Sequence, residues 1–136
     1  QHYSDLISQL PHLFSTLYTT IMLKHSISFK NAFKGIWIAL TTQLNIRVHF
    51  LVGSIVMFLA IYTQVTILEL VVLILTISLV IVAEMLNTAI EFVADAITLD
   101  HNEYIKLAKD VSAGAVLFSA IFASIIGLMI FIPKLI

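Results

Sequence analysis

A long apolar run, from Val65 to Ala83, most constrains what this chain can fold into. The run contains one charged residue, Glu69, and approaches the roughly 20 residues that a helix needs to span a bilayer. The chain as a whole is 60% hydrophobic and 11% charged, with a mean hydropathy of +1.07. Since a soluble domain of 136 residues cannot bury so much apolar surface, the sequence predicts an all-α integral membrane protein.

The apolar run continues directly into a stretch that carries four polar residues at regular intervals. In a helix, Glu84, Asn87, Glu91 and Asp95 follow steps of three and four and share one face. Ionisable groups at such a depth face a bundle interior or a polar cavity, and they are candidates for function. A polar helix end that simply meets water is the plain alternative, and it explains Asp95 more easily than Glu84.

Two further apolar stretches bring the predicted number of transmembrane helices to three. The spans are expected at about 46–63, 65–94 and 108–132, with a tight turn at Gln64 that makes the first two antiparallel. Residues 1–26 are predicted to be an amphipathic segment on the membrane surface or a tail, and residues 27–136 the membrane domain. Within that domain 28–45 is a second amphipathic stretch, whose Trp37 suits the membrane interface.

The basic residues predict the orientation in the membrane. Six of the seven fall on one side of the predicted spans: Lys24, Lys30, Lys34, Arg47, Lys106 and Lys109. Only Lys134 falls on the other side. Because basic loops stay in the cytoplasm, the N-terminus and the loop between the second and third spans are expected there. The polar face of the second span then opens towards the compartment that holds ATP and magnesium.

Several classes of function are disfavoured by the composition and by the motifs. A net charge of −1 argues against a nucleic-acid partner, and the lack of cysteine excludes disulfides and thiolate metal sites. The sequence has neither a Gly-x-x-x-x-Gly-Lys loop nor a Gly-x-Gly-x-x-Gly motif, and its size excludes a nucleotide-binding fold of the soluble type.

A second polar cluster, Lys106, Lys109 and Asp110, precedes the small-residue stretch 111–115 of the third span. Phosphoryl transfer needs metal ligands, a cation on the phosphates and a base for the attacking hydroxyl. The two polar clusters contain residue types that can supply all three, and a cavity at the bilayer edge would suit a lipid acceptor. A channel or transporter subunit, with the carboxylates as an ion path, is the alternative, although it leaves the Lys-Asp cluster unexplained.

The two clusters also carry a resemblance to a known family. Its motifs are Glu84-x-x-Asn87-Thr88-Ala89-Ile90-Glu91-x-x-x-Asp95, Ala108-Lys109-Asp110-Val111-x-Ala113-Gly114-Ala115-Val116, Phe29-x-x-Ala32-x-x-Gly35 and Asn45-x-Arg47-x-His49. Together they resemble the small bacterial diacylglycerol kinase and undecaprenol kinase family, from about Phe29 to the C-terminus. The motifs around Lys109 and Asn45 look closer to the undecaprenol kinase branch.

The resemblance implies a homotrimer of three-span subunits with an N-terminal surface helix, in the bacterial inner membrane. Its active sites would lie between subunits near the cytoplasmic surface. ATP would transfer its γ-phosphoryl group directly to the primary hydroxyl of diacylglycerol or undecaprenol, with Glu84 as general base. Asn87 would position the reacting groups, and Glu91 would hold Mg²⁺. Lys109, Asp110 and Asp95 look like nucleotide contacts.

One position departs from the family pattern. The family usually has a metal-site glutamate before its Asn-x-Arg motif, and this chain has Gln43 there. Glutamine offers a neutral carbonyl oxygen, so Gln43 is expected to support the metal and nucleotide with less charge. A silent relative that binds nucleotide or lipid without transfer is therefore a second hypothesis. Lys24 lies where some members carry a basic nucleotide contact.

Overall fold

The computed structural model describes residues 28–136. The predicted surface segment 1–26, and with it Lys24, lies outside the described residues. Four helices cover most of the described chain: α1 at 28–42, α2 at Leu44–Tyr62, α3 at Ile67–Ile97 and α4 at Glu103–Leu135. Ala39–Ile136 form one compact unit, and the described residues before them belong to another.

The three longest helices are each long and apolar enough to cross a membrane, which confirms the prediction of an all-α membrane protein with three spans. Their lengths differ, at 19, 31 and 33 residues. At 1.5 Å per residue α3 is roughly 45 Å long, and the hydrocarbon core of a bilayer is about 30 Å thick. A helix that begins near one interface at Ile67 therefore leaves the hydrocarbon about 20 residues later, close to Asn87.

The turn between α2 and α3 is stabilised by a capping box. Gln64 takes a left-handed conformation with φ of 52°, and Thr66 then caps α3. The Thr66 hydroxyl accepts from the Glu69 N–H, and Glu69 Oε2 accepts from the Thr66 N–H at 2.6 Å. The same oxygen lies 3.1 Å from Lys134 Nζ. Glu69 thus joins the start of α3 to the end of α4.

Side-chain contacts establish the antiparallel packing of α4 on α3. At one end the buried residues Ala60, Leu73 and Phe131 form an apolar cluster, close in sequence to the Glu69–Lys134 pair. At the other end Lys109 Nζ lies 2.6 Å from Asp95 Oδ1. The polar face of α3 therefore lies against the first turns of α4, which begins with Asn102 as its N-cap.

Gly53 allows α2 to approach α3 closely. A Cβ atom added there would lie 3.0 Å from Ile77 Cγ2, and a β-branched isoleucine in a helix has little rotamer freedom with which to move away. We expect Gly53→Ala to lower the free energy of unfolding by up to about 2 kcal/mol, since overpacking outweighs the gain in helix propensity. Detergent-induced unfolding followed by circular dichroism measures this.

Gly127→Ala is the matched control, because within the described residues an added Cβ there meets no atom closer than 4 Å. The control is expected to be neutral or to gain up to about 1 kcal/mol from helix propensity. Equal stability of the two variants would show that Gly53 does not set the distance between the helices.

Candidate active site

The buried polar residues of the described chain gather at one level of the bundle. They are Glu84, Asn87, Thr88 and Ser112, each 7% exposed or less. Burying a polar group costs free energy unless the group is hydrogen-bonded. A set of four buried polar residues therefore marks a candidate functional site. These four residues lie at the level where α3 reaches the edge of the hydrocarbon core.

Glu84 is 2% exposed and lies on the face of α3 that packs inside the bundle. Among the hydrogen bonds of the described residues it takes part through its backbone carbonyl, which accepts from Thr88 Oγ1 at 3.0 Å. No fully enclosed polar side-chain atom of residues 28–136 lacks a partner, so the Glu84 carboxylate oxygens are not fully enclosed. A carboxylate with no hydrogen bond to a described neighbour can accept a proton from a substrate that reaches it.

Asn87 connects α3 to α4. Its Nδ2 donates to Glu91 Oε1 at 3.0 Å, and its Oδ1 accepts from Ser112 Oγ at 2.7 Å. Ser112 Oγ also lies 2.9 Å from the carbonyl oxygen of Lys109. These contacts place the carboxylate of half-buried Glu91 at the outer end of a chain of hydrogen bonds.

The ion pair between Asp95 and Lys109 lies one turn further towards the helix end. Its side chains are 52% and 37% exposed, so the solvent screens it and it adds little stability. Both residues border a surface cleft that the α3–α4 loop and the start of α4 also line. Asp110 lines the same cleft and is exposed. The cleft therefore combines carboxylates with amino groups at the end of the bundle.

Gln43 interrupts the helical chain between α1 and α2. It has extended backbone angles as the N-cap of α2, and its N–H donates to the Ala39 carbonyl at 3.0 Å. Arg47 stabilises this break, because its Nε donates to the Leu40 carbonyl at 2.8 Å and its Nη2 to the Thr41 carbonyl. The last carbonyls of a helix lack intrahelical partners, and arginine supplies donors for them.

The structure brings together six polar residues along two adjoining helices: Glu84, Asn87, Glu91, Asp95, Lys109 and Ser112. Asp110 is added at the neighbouring cleft, but among the described residues no hydrogen bond joins half-buried Gln43 to the carboxylates. Within residues 28–136 no three His, Cys, Asp or Glu side chains converge as a metal-binding set. A metal bound here would take only some of its ligands from the protein. Substrate phosphates and water would supply the others, as they often do for magnesium.

Ser112 is the residue of this network that sequence reasoning did not single out. It appeared only as one of the small residues of the stretch 111–115. Its spacing of three from Lys109 is the one local signal, since serine in a helix often donates to a carbonyl of the preceding turn. Its bond to Asn87, 25 residues earlier, depends on the packing of α4 against α3.

Three membrane-length helices with a polar site at one edge of the bilayer define a multi-pass membrane protein that can act on a substrate at the membrane surface. Residues 30–131 match the prokaryotic diacylglycerol kinase family. Over 108 residues the chain is 40% identical to the undecaprenol kinase of Bacillus subtilis, covering 79% of this chain and 88% of that protein. Over 110 residues it is 40% identical to the diacylglycerol kinase of Synechocystis, covering 80% and 63%.

The chain belongs to the prokaryotic diacylglycerol kinase family. Membership makes it a membrane-bound lipid kinase that uses ATP, as the resemblance of its motifs implied. The matched segment contains every predicted site residue except Lys24.

Proposed function

We propose that this protein transfers the γ-phosphoryl group of ATP to the primary hydroxyl of a membrane lipid alcohol, either diacylglycerol or undecaprenol. The observation that carries the proposal is the buried carboxylate of Glu84, which has no hydrogen bond to a described residue and lies one turn of helix before Asn87 and two turns before Glu91. A hydroxyl located just beneath the lipid headgroups reaches this level of the bundle without leaving the bilayer.

Glu84 is the general base in this mechanism. As the lipid oxygen attacks the γ-phosphorus, its proton passes to the Glu84 carboxylate and a new oxygen–phosphorus bond forms. The bond between the γ-phosphorus and the bridging oxygen breaks at the same time, and ADP leaves. Phosphoryl transfer depends mainly on positioning and electrostatic stabilisation, so a direct in-line reaction needs no phosphoenzyme.

Glu91 and Gln43 are the proposed metal-site residues. Magnesium prefers oxygen ligands, commonly one or two carboxylates with phosphates and water, and the carboxylate of Glu91 and the amide oxygen of Gln43 suit it. Bound Mg²⁺ would neutralise charge on the ATP phosphates. Asn87 holds Glu91 through its Nδ2 bond and so orients the carboxylate.

Lys109 is the proposed cation for the phosphates, with Asp95 and Asp110 beside it in the cleft. The Asp95 pair keeps the ammonium group close to α3 when no nucleotide is bound. Lys24 remains a proposed nucleotide contact. These assignments place the nucleotide at the cleft beside Lys109 and the lipid alcohol within the bilayer.

The wider arrangement is part of the same proposal. Residues 1–26 are an amphipathic segment or a tail, 27–136 the lipid kinase domain, and three subunits assemble with their sites between them. The protein lies in the bacterial inner membrane with its N-terminus and active site facing the cytoplasm, where ATP is available. The distribution of basic residues supports this orientation.

The test is phosphoryl transfer from labelled ATP in mixed micelles, with diacylglycerol and undecaprenol offered separately. Identity does not separate the two acceptors, since it is 40% to a relative of each name. The motifs around Lys109 and Asn45 favour undecaprenol, so we expect the greater transfer to that lipid. No transfer to either lipid by a folded protein would contradict the proposal.

A catalytically silent relative is the second candidate, and Gln43 is the observation that favours it. Gln43 carries no charge and no hydrogen bond joins it to Glu91, so this position lends the metal less electrostatic support. We expect Gln43→Glu to lower the Mg²⁺ concentration needed for half-maximal activity, by about 10-fold, because a carboxylate is a stronger magnesium ligand than an amide.

A magnesium titration of the parent and of Gln43→Glu measures this effect. Gln64→Glu, in the turn at the other end of α3, adds the same charge and is expected to leave the titration unchanged. Identical titrations for the parent and Gln43→Glu would show that Gln43 is not near the metal.

A further inference from the structure

We infer that Ser112 is a positioning residue that sets the orientation of the Asn87 side-chain amide and, through it, of the Glu91 carboxylate. The inference rests on the proposed function, because it gives this hydrogen-bond chain a purpose in holding the metal and nucleotide. Ser112 is one of four buried polar residues in the described chain, and the mechanism gives it no role.

The direction of the hydrogen bonds follows from the groups involved. A Glu91 carboxylate oxygen can only accept, so the group of Asn87 that faces it must be the Nδ2 amide. The Asn87 carbonyl then faces α4, where it needs a donor. Ser112 Oγ, at 2.7 Å, is that donor.

The Lys109 carbonyl competes for the same proton. Ser112 Oγ lies 2.9 Å from it, and a hydroxyl has only one proton to donate. If the proton moved wholly to the Lys109 carbonyl, two acceptors would face each other at 2.7 Å. The Asn87 amide would then be driven to rotate, and its bond to Glu91 would be lost.

The burial of the pair makes the serine hydroxyl hard to replace. Ser112 is 7% exposed and Asn87 is 5% exposed, so bulk water has little access to the carbonyl that the hydroxyl satisfies. The contact also ties the turn that carries Lys109 to the face that carries Glu91. Ser112 thus couples the nucleotide side of the site to its metal side.

The experiment compares Ser112→Ala with Ser119→Ala. Ser119 lies two turns along the same helix, is half-buried and donates to the Val116 carbonyl at 2.8 Å, but no hydrogen bond joins it to α3. Outer residues that orient metal ligands typically change metal affinity 10- to 100-fold. We expect Ser112→Ala to raise the half-saturating Mg²⁺ concentration by about 10-fold and to leave the KM for lipid unchanged. Ser119→Ala should match the parent.

A second readout does not depend on turnover. Labelling asparagine with ¹⁵N in the full-length protein reports the side-chain amides, and the Asn87 signal is identified by its loss in Asn87→Asp. We expect this signal to shift in Ser112→Ala and to stay in place in Ser119→Ala. Ser112→Thr keeps the hydroxyl, so both its Asn87 signal and its magnesium titration should stay close to those of the parent.

An unmoved Asn87 signal in Ser112→Ala would overturn the inference, as would an unchanged magnesium titration in an active protein. Equal effects of the alanine and threonine variants would also overturn it, because they would point to packing and not to the hydroxyl. A parent that phosphorylates neither lipid contradicts the proposed function instead. The Asn87 signal alone then decides whether Ser112 orients the amide.

Discussion

Glu84→Gln is expected to reduce phosphoryl transfer by about 10²- to 10⁴-fold, the range that a positioned general base contributes. Glutamine has nearly the same size and shape as glutamate, but its amide cannot take the proton of the lipid hydroxyl. Because the side chain is 2% exposed, a water molecule from bulk solvent has little room to act as a substitute base. Binding of ATP should persist, since Glu84 is not assigned to the nucleotide.

Initial rates with the preferred lipid, together with nucleotide binding measured by calorimetry, test this prediction. Glu103→Gln is the matched control, because Glu103 lies at the exposed start of α4, 2.8 Å from His101 and outside the buried cluster. The control should keep the activity of the parent. A Glu84→Gln protein with near-normal turnover would remove Glu84 from the mechanism.

Lys109→Met should raise the KM for ATP by roughly 10- to 100-fold, because a hydrogen bond to a charged group is worth about 1.5–3 kcal/mol. The substitution keeps most of the length of the unbranched side chain and removes its charge. Little of the effect should come from lost stability, since the ion pair with Asp95 is partly exposed and screened by solvent. The measurement is the dependence of the initial rate on ATP at saturating magnesium.

Two controls separate the roles of Lys109. Lys106→Met removes a charge from the same cleft one turn earlier and should have a smaller effect on the KM for ATP. Asp95→Asn breaks the ion pair but retains the ammonium group, so it should change that KM less than Lys109→Met does. Equal effects of Lys109→Met and Asp95→Asn on the KM for ATP would mean that ATP binding depends on the ion pair and not on contact between Lys109 and phosphate.

The arrangement of residues along one helix could be predicted from the sequence. The spacing of Glu84, Asn87 and Glu91 is a property of any α-helix, and the bond from Asn87 to Glu91 follows the i, i+4 geometry. Three apolar spans follow from the same local reasoning, because the bilayer demands that each segment satisfies its own backbone. The residue roles remain predictions that the proposed variants test.

Contacts between helices could not be predicted from the sequence by this local reasoning. The sequence placed Lys109 and Asp95 in two separate clusters, and only the antiparallel packing of α4 on α3 brings their side chains to 2.6 Å. Glu69 likewise stood out in the sequence only as the one charged residue of the apolar run. In the structure it completes a capping box and pairs with Lys134 from the far end of the chain.

The sequence by itself determined the membrane class, the three helices and the polar face of α3, because helix geometry and the cost of exposing polar backbone to lipid act locally. The tertiary structure decided that Ser112 meets Asn87 and that Gly53 meets Ile77. The physical reason is that such pairs depend on the rotation and axial offset of one helix against another. Many side chains must pack together to set those two quantities, and no short stretch of sequence contains them.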